Sequence, residues 1–334
     1  MLYPAMQYGE DIHIEGVVSS KLLFNLNNYV IPLIKSFSPS SKSIKVTASK
    51  VSTKNYQGEG VGTGFSGGVD SFCTIYDHYE LEEDPNYKIN SFLFLNVGSH
   101  GSKNKEKVEK TFKTRFNYLK EFPLEIGVDF IPVDSNLYMF HPWGHQKTHT
   151  LTSASGILFM QNLFKRYYYA SAGLNYGEML ATADKYKEHD IGAYCEPILL
   201  PLLATESMEI IADGTQYNRI EKTIRIADYK PAQRYLNVCI IGGDTYKNCS
   251  VCSKCRRTLM TLNSIGKLED FSKVFDIKKY KSKAEKRYVA KQLVFQDEDL
   301  FAKKNVELAK KNNIKLTKGF YYYLYFILRL IKPN

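Results

Sequence analysis

Val61-Gly62-Thr63-Gly64-Phe65-Ser66-Gly67-Gly68-Val69-Asp70-Ser71-Phe72 is the stretch on which the fold turns. Val61 to Phe65 is a short apolar run of strand type and Phe72 to Tyr79 has helical spacing, so Ser66 to Ser71 is the loop between them. Two adjacent glycines let the main chain fold tightly. The N–H groups of Gly67, Gly68 and Val69 then converge at a helix N-terminus, where unpaired donors and partial positive charge favour a phosphate. Ser66 and Ser71 add hydroxyl donors. Asp70 is placed to cap the helix or to hold a magnesium ion bridging phosphate oxygens, because a hard cation prefers carboxylate and phosphate oxygen. Gly62 to Gly67 also fits the loose G-x-G-x-x-G dinucleotide pattern, but its first two glycines fall inside the strand and no clean acidic residue follows about 20 positions on. No Gly-Lys-Ser/Thr follows the glycines, which excludes a Walker A loop. A tight strand-to-helix turn without a ligand is the bland alternative.

Cys239, Cys249, Cys252 and Cys255 form a C-x9-C-x2-C-x2-C cluster. Thiols at this density point to zinc, since two-residue gaps make turns that present sulfurs to one point while backbone N–H groups support the thiolates. Lys247, Lys254, Arg256 and Arg257 are placed to offset the negative charge of such a site. Disulfides fit poorly, because C-x2-C pairs without a visible secretory signal more often serve metal or redox chemistry. A redox or sulfur-transfer dithiol stays open as the rival. Cys73 and Cys195 stand alone and read as small buried hydrophobes.

The loop string Ser66 to Ser71 resembles the signature of the PP-loop ATP pyrophosphatases, and its pairing with a downstream cysteine cluster resembles the 7-cyano-7-deazaguanine synthase branch, of which this chain would be a divergent member. The resemblance implies a nucleotide-binding α/β domain of HUP type. ATP with Mg2+ would be cleaved between its α and β phosphates, with pyrophosphate in the loop and AMP transferred to a carbonyl or carboxylate oxygen that a nitrogen or sulfur nucleophile then displaces. It carries Ser66, Gly67, Gly68, Asp70 and Ser71 onto the phosphate site and the four cysteines onto a structural Zn2+. It also puts the turn after the second strand, Asn96-Val97-Gly98-Ser99-His100, and Gly173 near the adenosine. Basic residues downstream of the loop often complete the phosphate site in this family; Arg219 and Lys222 are the candidates. Three apart, they share a helix face and could stabilise charge on leaving pyrophosphate, although with Glu221 between them they also read as a surface salt-bridge pattern. Some relatives thiolate tRNA.

The rest of the chain divides into an N-terminal extension (1–60), the ATP-binding domain (61–237), the cysteine element with its following helix (238–265) and a helical region (266–334). The extension has a helical stretch from Ser20 to Ile34 and a strand from Ile44 to Ala48. After the loop, strands at Ser91–Asn96, Phe130–Val133 and Tyr167–Ser171 alternate with helices at Glu106–Phe122 and Leu151–Phe164, which implies an α/β fold: a parallel sheet with helices on both faces and ligands at the strands' carboxyl ends. Thr205 to Ala212 reads as helix. His141, His145 and His149 have i, i+4, i+8 spacing, but Pro142 and Gly144 argue against a helix, so the segment reads as a loop with His145, Lys147 or His149 facing phosphate or substrate. Helices follow at Ala284–Leu293 and Asp297–Lys311.

With 334 residues, 44% of them hydrophobic, the chain can build one large core with appendages. The net charge of +10 lies mostly late in the chain with acids interspersed, a pattern of solvated helix faces more than of a nucleic-acid groove. A small-molecule acceptor is therefore the expected partner, with tRNA the other candidate. Met1 to Glu15 lacks a basic start and a continuous apolar run, which suggests a cytoplasmic protein. Phe320 to Ile331 is too short to span a bilayer. It reads as a helix docked on the core or, if exposed, as an interface for a second copy or a partner. Peripheral membrane contact is a further alternative, because Lys315, Lys318, Arg329 and Lys332 flank the segment, although its sequence reads as poorly amphipathic.

Overall fold

A computed structural model describes residues 1–100, 104–140, 145–172, 174–182, 191–239 and 247–331. The chain forms two compact units. The first comprises Met1–Ser66 and Thr74–Asn218, the second Gly67–Cys73 and Arg219–Asn334.

The first unit is α/β. Strands β1 (Ile12–Ser19) and β2 (Val46–Ser52) pair in parallel as a small sheet. Strands β3 (Gly60–Gly64), β4 (Ser91–Asn96), β5 (Asp129–Asp134), β6 (Phe164–Ala170) and β7 (Glu209–Asp213) form a parallel sheet in the order β5-β4-β3-β6-β7. The chain adds β4 and β5 on one side of β3, then crosses back to add β6 and β7 on the other. Its carboxyl edge at β3 and β6 is thus a topological switch point, where open α/β sheets place ligands. Every β4 residue but Leu95 is buried, the mark of a parallel strand covered on both faces. Alternate residues diverge. Phe92 and Phe94 join Phe65, Phe112, Phe116, Phe122 and Phe130 in an aromatic layer. Leu93 faces a core with Phe164, Tyr167, Leu199 and Ile210. Met6, Val30, Ile31, Ile34 and Val46 complete that core, so the N-terminal extension is integral to the first unit.

Three readings of the sequence are corrected here. Thr205–Ala212 is not a helix: it ends in β7, because Met208, Ile210 and Ala212 are buried at alternate positions, a period of two. The segment read as a histidine loop is helical from His145 to Leu158, which puts His145 and His149 one turn apart; His141, Pro142 and Gly144 lie outside the described residues. That helix stops well short of Phe164, whose ring opens β6.

In the second unit, helices Arg219–Arg225, Lys230–Tyr235, Ser253–Ser264, Glu285–Phe295, Leu300–Lys311 and Phe320–Ile331 follow one another. Asp299 caps the fifth by accepting from the N–H groups of Phe301 and Ala302. Leu259, Leu262, Phe271, Tyr280 and Val306 are buried.

Candidate functional site

Helix Val69–Ile75 starts directly after the glycine pair. Gly67 has φ +73°, a left-handed conformation that a side chain would strain, so the first glycine makes the turn. Its carbonyl accepts from Asn237 N–H at 2.7 Å, and the Gly68 carbonyl accepts from Phe72 N–H at 3.0 Å and Ser71 Oγ at 3.1 Å. One residue into the helix, Asp70 meets Arg219 Nη2 at 2.7 Å and Lys222 Nζ at 3.3 Å. Arg219 and Lys222 do share one face of their helix, as their spacing predicts, and that face turns to Asp70. Lys222 is 2% exposed. Burial pushes the Asp70 carboxyl up, but Arg219, Lys222 and, farther off, Lys254 outweigh it and hold the group below the usual carboxylate range. Lys254 is itself pushed down by burial and by Arg219. Three cations surrounding one carboxylate beside a glycine turn favour an added anion.

The four thiols converge: the sulfurs of Cys239, Cys249, Cys252 and Cys255 all lie within 4.8 Å of one another, and none is in a disulfide. Tetrahedral zinc, with Zn–S near 2.3 Å, sets sulfurs about 3.8 Å apart, so these residues fit the ion. The N–H of Cys249 points to Cys239 Sγ at 3.4 Å, that of Cys252 to Cys249 Sγ at 3.3 Å and that of Cys255 to Cys252 Sγ at 3.5 Å. These bonds are the support that thiolate ligands need. Ser250 takes φ +61° inside the first C-x2-C turn. Burial opposes ionisation of Cys249, yet the Val251 N–H, Cys239 and Cys252 bring its thiol down to about 7; burial and the neighbouring sulfurs push Cys255 up. Arg256 and Arg257 rest over the rings of Tyr288 and Phe301, and Lys254 is in electrostatic contact with Cys252.

Two asparagines that carried no signal in the sequence hold this arrangement. Asn237 donates its N–H to Gly67 and accepts from Cys239 N–H at 3.2 Å, so a single residue ties the glycine turn to the first cysteine. Asn248 donates to the carbonyls of Leu236 and Val274 and accepts from Val238 N–H.

Ser66, Asn96, Gly98, His100 and His149 lie in the first unit. Ser66 is exposed after β3, and Asn96 closes β4, donating to Asp134 Oδ1 at 2.6 Å. Gly98 has φ +111°, and Gly173 lies outside the described residues. His100 packs against Phe94 and Phe112, and burial with Arg115 and His145 nearby lowers it to about 3. His149 contacts Tyr169 Oη at 3.2 Å, and buried Glu196 accepts from Thr150 and Ser171, a polar cluster the sequence did not announce. Cys73 and Cys195 are fully buried, as read from sequence. The chain matches no family model, no curated protein and no solved structure. What the site can do therefore rests on its own geometry: a glycine turn beside three cations and a four-cysteine group that could hold a metal ion, tied together through Asn237.

Proposed function

We propose that the protein is a PP-loop ATP pyrophosphatase with a HUP-type nucleotide domain. It would bind Mg-ATP through the loop Ser66 to Ser71, divide it into AMP and pyrophosphate, and join carbon to nitrogen on a small acceptor. The observation that carries this reading is the clustering of Arg219 and Lys222 on Asp70 beside the Gly67 turn. A carbonyl or carboxylate oxygen of the acceptor attacks the α-phosphorus, the bond from that phosphorus to the bridging oxygen breaks, and pyrophosphate leaves with the electron pair. A nitrogen nucleophile then displaces AMP and loses a proton. No protein nucleophile is needed: the loop positions the nucleotide, and the cations offset charge that builds on the leaving group. Zn2+ on the four cysteines supplies cross-linking, since four thiolates leave no open position for substrate. The rival, sulfur transfer to tRNA, would need a thiol free of metal, and the half-buried Cys249 is its candidate.

The test incubates the protein with α-labelled ATP, magnesium and fractionated metabolites, and resolves AMP from ADP. AMP with equimolar pyrophosphate, dependent on one fraction and lost in Ser66→Ala, is the expected result. ATP bound without AMP in any fraction would sink the reading in favour of a nucleotide-binding regulatory module or a macromolecular acceptor.

A further inference from the structure

The helix Phe320–Ile331 is inside out. Tyr321, Tyr322, Tyr325 and Arg329 are its half-buried positions, spaced i, i+1, i+4, i+8, and these carry its polar atoms apart from the exposed Tyr323 hydroxyl. Arg329 anchors that face by donating to the Val294 carbonyl at 2.8 Å and pairing with Glu298 at 2.6 Å. Phe320, Tyr323, Leu324, Ile327, Leu328 and Ile331, spaced i, i+3, i+4, i+7, i+8, i+11, form an exposed apolar stripe; Phe320 is 76% exposed, Ile327 52% and Ile331 69%. A helix that docks on a core through its apolar stripe buries that stripe. This one faces its apolar stripe outward, and a contiguous exposed patch of this kind marks a surface that something covers.

The charge around it says what. Residues 266–334 hold 17 basic and 8 acidic side chains, which is nine of the chain's ten net positive charges. Exposed Lys315 and Lys318 lead into the helix, with the Lys318 ammonium 5.1 Å from the Tyr322 ring and the Arg287 guanidinium 5.0 Å from the Tyr321 ring. A second copy on this stripe would bring two strongly basic regions together. An anionic lipid surface satisfies both features at once, because apolar side chains enter the headgroup–acyl boundary while lysines reach the lipid phosphates. Among the described residues no helix is long and apolar enough to cross a membrane, and twelve residues suffice only to lie along one.

We propose that the helix Phe320–Ile331 seats this protein on an anionic membrane surface, with its exposed stripe in the headgroup–acyl boundary and the flanking lysines on phosphate groups. The full chain is sedimented with phosphatidylcholine vesicles and with vesicles that also contain phosphatidylglycerol. It should bind the second kind, bind the first far less, and release as salt rises. Ile327→Ser with Ile331→Ser should abolish binding at an unchanged melting temperature, since both side chains are exposed. Lys315→Glu with Lys318→Glu should weaken it roughly ten-fold or more. Sedimentation velocity without vesicles reports the competing occupant. No binding to either vesicle, equal binding by both variants, or a dimer that the Ile327→Ser, Ile331→Ser variant turns into a monomer would each overturn the proposal.

Discussion

Lys222 is almost fully enclosed, and an ammonium that deep is tolerated only beside a counter-charge. Asp70→Asn should therefore lower the unfolding free energy, because the buried Lys222 ammonium and Arg219 lose the carboxylate that they share. Lys222→Met, which removes the buried charge itself and leaves Asp70 with Arg219, should cost less. Urea titrations of the two variants check this ordering, and an Asp70→Asn midpoint equal to that of the parent protein would disprove it. Loss of activity in Asp70→Asn must accordingly be read beside its melting curve, which makes exposed Ser66 the cleaner probe of the loop. The three-residue spacing of Arg219 and Lys222 was legible because a helix repeats nearly every third or fourth position. Their shared partner was not, since Asp70 and Lys222 lie 152 positions apart. Asn237 was invisible for a different reason: its work is done by main-chain N–H and a side-chain oxygen that no spacing rule singles out.

Elements show where periodicity suffices. β4 was legible to the residue, because an apolar run bounded by polar residues has one good solution there. β7 was lost to a helix reading because Ile210-Ile211 interrupts the alternation that Met208, Ile210 and Ala212 keep. β3 depends on its glycines for closeness: a Cβ on Gly62 would lie 2.8 Å from the Phe164 ring. Gly62→Ala should cost about 1–3 kcal/mol by overpacking. Adding Phe164→Leu should recover part of that loss, and additive costs in a double-mutant cycle would show that the ring is not the obstacle. Two histidines give opposite pH signatures. Burial lowers His78, but its 2.8 Å bond to Asp213, with the charges of Asp213, Asp77 and Glu82, raises it above 6.5 overall. Its contribution is full below pH 6.5 and lost as pH rises through the raised value. Burial and His145 lower His149 to about 4, so its contribution is full above 6.5 and lost as pH falls toward 4. His78→Gln should flatten stability against pH on the alkaline side of 6.5 and His149→Gln on the acid side; urea midpoints across pH that change on the other limb would refute the assignment.

At the scale of the whole molecule, the cysteine centre predicts one zinc per chain by elemental analysis of reduced protein. Cys252→Ser should reduce that content and speed hydrogen exchange around Asn237 and Asn248 while leaving β3 to β6 protected. Metal-free protein with unchanged exchange would show that the thiols pack without an ion. The parallel sheet and the convergence of the four cysteines were legible because strand–helix alternation and the short cysteine gaps are local patterns. The excursion of the glycine turn has no local signature: the chain leaves the first unit at Ser66, gives seven residues to the second, and returns at Thr74. That excursion has a consequence in time. The glycine turn emerges from the ribosome long before Asn237, Arg219 and Lys222, and at about 5–20 residues per second it waits roughly ten to thirty seconds for them. Throughout that interval Asp70 has neither cation and Gly67 has no donor, so nascent chains stalled before residue 219 should expose this loop to protease and those released beyond the cysteines should not.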